Sequence, residues 1–390
     1  MSAPASVLVV GASASGLSTV EALRRKGYGG AVTVLGAEPH PPYDRPPLSK
    51  QVLSGTWEPA KTALRQQSAL SDLDADFVLG DPAVGLDLAD RAVRTESGRA
   101  LRADAVVVAT GMRARNLPAQ RDLRGLHVLR TLEDSLALRA DLLTARRAVV
   151  VGEGVLGAEI TATARGMGLP VTMVGPQPAP MAAQLGPLVA GRLAELHAEN
   201  GVDLRLGTGV DGFAEQDGRV AGVQLNTGEV LAADVVVVAV GAAPATDWLA
   251  GSGVEVDDGV VCDSRCRAAE GVYAVGDVAR WWHERIGDYV RFENRTNATA
   301  QSLAVAGNVL GDDQAYAPVP YFWTDQYDVK VQMHGVLPPE ADVSIVDGDL
   351  DGGRFVAQYE RDGQVAGVLG WNMAKQARLR RKEIAHSLAA

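Results

Sequence analysis

Two cysteines in 390 residues are too few to staple a chain of this length. They exclude a disulfide scaffold and point to a reducing compartment, so the expected location is the cytoplasm. Long apolar runs are also missing: none approaches the ~20 residues a membrane-spanning helix needs. No basic segment precedes the first strand-like run, which predicts no signal peptide. Positive charge is in deficit: the net charge is −11, which disfavours nucleic acid as the main partner. Aromatic residues make up only 5% of the chain. Hydrophobic residues at 47% and charged ones at 22% allow a buried core, and the length allows about two or three domains of ~100–200 residues.

Short β-branched runs alternate with Ala/Leu-rich stretches, the pattern of an α/β protein with parallel sheets. Val7–Val10 reads as a strand, Leu17–Lys26 as a helix and Ala31–Leu35 as the next strand. The same series recurs at Arg147–Val151, Gly154–Met167 and Pro170–Val174. Two further buried strands end in tight turns, Ala105–Ala109 before Thr110-Gly111 and Val235–Val240 before Gly241. Each closes the half that one glycine turn begins. The segment after Pro318 changes texture and reads as a separate domain. The expected partition is 1–112 with 242–317, then 113–241, then 318–390.

The second glycine turn is complete: Gly152-Glu153-Gly154-Val155-Leu156-Gly157. The first glycine of such a turn permits the tight bend, the second lets backbone N–H groups approach a pyrophosphate, and the third lets helix pack on strand. In the first turn Gly11 and Gly16 are present, but Ser13 holds the middle place among Ala12, Ala14 and Ser15. Taken alone, that copy is either a nucleotide site or a structural strand–turn–helix.

The segment from Gly36 to Lys50, GAEPHPPYDRPPLSK, resembles the GxExxxPYxRPPLSK stretch of the ferredoxin reductases that serve cytochromes P450 and aromatic-ring dioxygenases. Further matches follow in the family's order: Ala109–Gly111, Val128–Asp134, the second turn with Glu159, Val272–Ala279, Asn297-Ala298 with Gln301, Tyr321–Lys330 and Val365–Asn372. The likeness covers essentially the whole chain. It implies a glutathione-reductase-type fold, with two Rossmann-like dinucleotide-binding domains and a C-terminal α+β domain, an FAD cofactor and an NAD(P)H donor. It implies residue roles as well. Gly11 to Gly16 hold the FAD pyrophosphate, Glu38 the adenosine ribose, and Arg45 and Arg130 the diphosphate. Lys50 stands beside the isoalloxazine, Asp277 takes a ribityl hydroxyl, and Trp323 covers the flavin ring; Lys50 and Trp323 are thus the residues nearest the chemistry. Val84, Thr110, Gly111, Gly241, Gly276 and Glu293 complete the cofactor-binding set. Glu159, inside the helix that follows Gly152–Gly157, meets the nicotinamide end. Read singly, Glu38, Arg45 and Lys50 are equally loop surface charges, Asp277 a helix cap and Trp323 core.

Three departures from the family pattern stand out: Ser13, Gly175 and Arg295. NAD-preferring members end the strand after the second turn with an acid that bonds the ribose 2′-OH, whereas NADP sites use arginine. Here that strand runs into Gly175-Pro176-Gln177-Pro178, with neither. The lack of a basic clamp favours NADH over NADPH. Arg295 stands where the family carries an apolar or aromatic residue near the flavin. The basic run Lys375–Lys382, with Arg378, Arg380 and Arg381, suits docking of an acidic iron–sulfur ferredoxin.

The expected activity is electron transfer from NADH through FAD to such a one-electron carrier. A disulfide reductase of the same fold needs a cysteine beside the flavin, and Cys262 and Cys266 fall outside Pro42–Lys50. Two rival activities stay open on the sequence: a redox-sensing flavoprotein resembling apoptosis-inducing factor, and an FAD oxidoreductase acting on a small organic substrate.

Overall fold

The computed structural model describes residues 3–384. Two sheets, parallel but for the antiparallel edge strand Arg267–Ala269 of the first, carry the two glycine turns, and each turn leaves a central strand of its sheet. In the first sheet the order is Arg267–Ala269, Val272–Ala274, Ala105–Val108, Ser6–Val10, Ala31–Gly36, Asp76–Leu79. Val7 pairs with both Val32 and Ala105 in parallel register. Val7 to Val10 are almost wholly buried, as expected of an uninterrupted valine run covered on both faces of a parallel sheet.

The second sheet repeats the plan in the order Asp203–Leu206, Val171–Gly175, Ala148–Val151, Val235–Val238, Leu126–His127. Val149 is flanked by Thr172 and Val236. In both sheets the chain therefore switches sides at the strand that ends in glycine, the place where open α/β sheets leave a crevice at their carboxyl ends. The strands Met112–Ala114 and Ala242–Pro244 pair antiparallel where the chain passes between the sheets.

The helix after the first turn begins earlier than expected, at Ala14 and not Leu17, and the one after the second begins within a residue of the expected Gly154. They span Ala14–Arg25 and Val155–Gly166. Small residues at Ala14, Ser15 and Gly16 let the helix start directly out of the bend, with Ser13 as its N-cap residue.

The C-terminal domain is a five-stranded antiparallel sheet in the order Tyr321–Gln326, Val329–Gly335, Gln364–Trp371, Arg354–Arg361, Asp342–Asp349. A short helix, Ala374–Arg380, packs against it. Ala377 fills the space over Gly370, where an added Cβ would lie 2.8 Å from the Ala377 methyl. The apolar face of this sheet shares one core with the helix Ala182–Glu199 of the second unit. Among the described residues, no helix is long and apolar enough to cross a membrane.

Candidate active site

The two glycine turns are built alike. Gly11 has φ +125°, and a Cβ there would lie 2.1 Å from the Ala109 carbonyl oxygen; Gly152 has φ +116° and meets the Ala239 oxygen at 2.2 Å. A Cβ on Gly16 would fall 1.8 Å from the Gly11 oxygen, and one on Gly157 would fall 1.9 Å from the Gly152 oxygen. The first and third glycines are therefore fixed by the backbone itself. The middle position is different. Gly154 has ordinary negative φ (−72°), and a Cβ there meets nothing within 4 Å. Ser13, its counterpart, also has negative φ (−117°) and makes no capping hydrogen bond with its hydroxyl. Serine costs the first turn nothing in packing, and the residue lines the cavity.

A cavity of about 870 Å³ runs between the turns, within the ~300–1,000 Å³ of ligand sites. Most of the expected residues line it. Ser13, Ala14, Ser15, Arg45, Lys50, Thr110, Gly111, Asp277, Glu293 and Arg295 come from the first sheet's side; Arg130, Gly154, Val155, Leu156, Glu159 and Gly241 from the second; Trp323 from the C-terminal domain. Gly11, Gly16, Gly152 and Gly157 shape the turns from behind. Gly276, at φ +76°, lies under Ser15: an added Cβ would be 2.1 Å from the serine Oγ. Glu38 stands behind Arg45, and Val84, on the strand Ala83–Asp87, is half exposed; neither belongs to the cavity wall.

Cations gather at the mouth of the first turn. Arg45 donates to Glu38 at 2.6 Å, to the Arg130 carbonyl at 2.6 Å and to the Tyr43 hydroxyl at 3.1 Å. The Tyr43 hydroxyl donates to the other Glu38 oxygen and accepts the Leu132 N–H at 3.1 Å. Burial works against the Arg45 charge, but Tyr43 and Glu38 outweigh it and hold its pKa above the guanidinium value. Arg130 is less well compensated. Burial, then repulsion by Arg45, pushes its pKa down, while Asp277 at 3.6 Å pulls the other way. Burial raises the Asp277 pKa, with Arg130 opposing. Two partly buried guanidinium groups, one incompletely neutralised, beside a helix N-terminus make a site for an anion of more than one charge. A diphosphate fits this donor set. Arg295 does not add a free cation, because its Nε is bound to Asp44 at 2.6 Å.

Deeper in, Glu159 joins three parts of the chain. Its Oε2 accepts from Ser49 Oγ at 2.6 Å and Lys50 Nζ at 2.7 Å, and its Oε1 accepts from Thr324 Oγ1 at 2.8 Å. The side chains of Lys50 and Glu159 are 14% and 8% exposed. The loop bearing Lys50 is pinned from the other side, where Ser135 and Thr163 donate to the carbonyls of Leu48 and Ser49, both at 2.7 Å. Lys50 is expected from the sequence; Ser49 and Thr324 are not, although each adjoins a residue that is. Over the cavity Trp323 stacks on Tyr321, with ring centroids 6.0 Å apart, and Tyr321 leans on His334 at 4.8 Å.

Cys262 and Cys266 are both free and buried. Cys266 accepts from Gln301, and burial raises its pKa to about 12. Neither lines the cavity, so they cannot serve as a redox pair in it.

Comparison with known proteins agrees with this geometry. Residues 5–302 match the pyridine nucleotide-disulphide oxidoreductase family, and residues 321–390 match the reductase C-terminal family. Rhodocoxin reductase of Rhodococcus erythropolis is 37% identical over 352 residues, covering 90% of this chain and 82% of the relative. The ferredoxin–NAD(+) reductase subunit of a Pseudomonas putida benzene 1,2-dioxygenase system is 35% identical, covering 93% and 88%. Among solved structures, a ferredoxin reductase of Rhodopseudomonas palustris superposes with a TM-score of 0.94 at 32% identity, covering 97% of this chain and 93% of that one. Putidaredoxin reductase, in covalent complex with putidaredoxin, gives 0.92 at 30% identity, covering 97% and 92%. With two matched dinucleotide turns opening on one cavity, the chain belongs to the pyridine nucleotide-disulphide oxidoreductases, among the ferredoxin reductases, enzymes that use FAD and NAD(P)H.

Proposed function

We propose that this protein passes electrons from NADH, through FAD, to an acidic iron–sulfur ferredoxin in the cytoplasm. The observation that carries the reading is a cavity flanked by both glycine turns, with the Lys50–Glu159 pair between them. In this reading residues 1–112 and 242–317 bind FAD, 113–241 bind the nicotinamide dinucleotide, and 318–390 form the third domain. FAD, when bound, supplies acceptance of two electrons together and their release one at a time.

The chain's own groups then have distinct tasks. The N–H groups at Ala14 and Ser15, with Arg45 and Arg130, hold the diphosphate. Glu38, though set back from the wall, keeps Arg45 extended towards it. Lys50 sets a cation at the isoalloxazine, where positive charge favours the reduced, anionic ring; Glu159 and Ser49 fix that cation in place. Glu159 also faces the nicotinamide end beside Gly154–Leu156. Trp323 and Tyr321 close the ring off from bulk water. No proton-transfer dyad is needed among these residues, because a bound nicotinamide would supply hydride, whose release requires no acid or base.

Docking is assigned to the basic end of the chain. Arg378 and Arg381 are exposed, while Arg380 is bound to Glu383 at 3.2 Å. After burial, Arg381 and Arg378 are what lower the His334 pKa, to about 4, and His334 touches Tyr321 at the cavity. Support for this reading is that the two cations act on His334, the neighbour of the aromatic pair over the cavity.

The test is anaerobic titration of the FAD-reconstituted protein with NADH, followed by an acidic [2Fe–2S] ferredoxin or a small dye. Bleaching of the flavin and reduction of both acceptors are expected. Reversal of Arg378 and Arg381 to Glu should slow ferredoxin reduction at least about tenfold at low salt and spare the dye. A protein that cannot be loaded with FAD, or whose flavin NADH leaves oxidised, would refute the proposal.

A further inference from the structure

A dinucleotide site of this kind needs a group that reads the adenosine ribose, and the usual carrier is an acid at the end of the strand after the glycine turn. The strand Val171–Gly175 ends without one. The structure fills the gap from another direction. Glu153, the variable residue between Gly152 and Gly154, turns its side chain across to that strand end. An added Cβ on Gly175 would lie 1.5 Å from Glu153 Oε2 and 2.2 Å from its Cδ. The carboxylate thus occupies the space that a side chain at position 175 would enter.

It is anchored there. Oε1 accepts the Gln177 N–H at 3.0 Å, and the Glu153 carbonyl accepts the Met181 N–H at 2.8 Å. The residue is 6% exposed. Among the described residues, no hydrogen bond or ion pair engages Oε2, so one oxygen is held by backbone and the other is free to accept. The neighbouring strand offers no 2′-phosphate clamp. Arg205, adjacent to Val174 in register, is engaged by Asp203 at 3.0 Å and Glu229 at 3.2 Å.

We propose that Glu153 replaces the missing strand-end acid, accepts the ribose hydroxyls of NADH, and disfavours NADPH by like-charge contact with the 2′-phosphate. This rests on reading Gly152–Gly157 as the nicotinamide dinucleotide turn. A carboxylate with one unused oxygen pairs well with hydroxyl donors. It is badly placed for a phosphate dianion, which would lose its water without gaining a cation.

Calorimetric binding of NAD⁺ and of NADP⁺ to the FAD-loaded protein separates the two readings without relying on turnover. Glu153→Gln keeps the shape and the bond to Gln177 but removes the charge. It should weaken NAD⁺ and reduce the preference over NADP⁺ by about tenfold, the scale of one charge-assisted hydrogen bond. The exchange Glu153→Gly with Gly175→Glu, which returns the acid to the strand end, should restore both NAD⁺ affinity and preference to within about threefold. If the wild type binds NAD⁺ but Glu153→Gln changes the NAD⁺/NADP⁺ ratio by less than about twofold, the assignment of Glu153 is overturned and the turn stands. If the wild type binds neither dinucleotide, the reading of the turn falls, and the inference with it.

Discussion

Glu159 takes hydrogen bonds from Ser49, Lys50 and Thr324, so removing its carboxylate strands a buried ammonium and two hydroxyls at once. Breaking a buried pair from one side costs about 3–5 kcal/mol, because the remaining charge stays desolvated. Glu159→Ala should therefore lower the unfolding free energy by about 3 kcal/mol or more in denaturant titrations; an effect under about 1 kcal/mol would show that the ammonium re-solvates freely. Lys50 and Glu159 are legible in the sequence because the resemblance carries them. Ser49 and Thr324 are not, since their part depends on meeting a residue 110 and 165 positions away. Glu153 is visible as a letter inside the turn. Its direction, over Gly175, depends on the bend of the backbone, and a spacing rule that looks for the acid on the strand misses it.

At the scale of elements, the two strand–turn–helix units are the most legible part of the chain. Runs such as Val7–Val10 and Val235–Val238 are buried on both sides, and only a parallel central strand makes such a run reasonable. What the spacing pattern does not distinguish is why each glycine is there. The outer ones are demanded by backbone oxygens less than 2.5 Å from a would-be Cβ, while the middle one is not. A pair of variants separates these roles. Gly16→Ala should unfold or misfold the first unit and lose FAD, because its methyl would stand 1.8 Å from the Gly11 carbonyl oxygen. Gly154→Ala should fold with stability within about 0.5 kcal/mol of wild type and show its effect in dinucleotide affinity. Thermal melts and flavin absorbance read both outcomes, and equal destabilisation by the two changes would contradict the distinction.

The whole molecule is held by interfaces as much as by its sheets, and one of them is sensitive to acid. His197, on the helix Ala182–Glu199, meets Gln326 at 2.8 Å and Tyr327 at 3.1 Å in the C-terminal sheet. Burial lowers its pKa from 6.5 to about 4, and His334, also buried, is lowered to about 4. A histidine kept neutral in the fold but free to protonate when unfolded lets the unfolded state bind more protons as pH falls. Stability is thus complete above about pH 6.5 and is lost progressively between there and pH 4. For His197 the shift corresponds to roughly 3 kcal/mol at the acid end. Melting temperatures should fall across that window, and His197→Gln, which keeps a polar partner for Gln326, should flatten the slope. An unchanged slope would mean that other groups govern acid unfolding. Domain-level texture is readable from the sequence, but this coupling is not, because no local pattern marks a histidine as buried.

The contact between Glu153 and Gly175 also fixes an order of change. With Oε2 only 1.5 Å from where any β-carbon at position 175 must go, an acid cannot be added to the strand end while Glu153 keeps its position. Exchange between the two arrangements must pass either through a chain that has lost both acids or through one in which Glu153 has been displaced. Mutational surveys of position 175 made in the present background would therefore report the cost of displacing the Glu153 carboxylate, and would misread a property of residue 153 as one of residue 175.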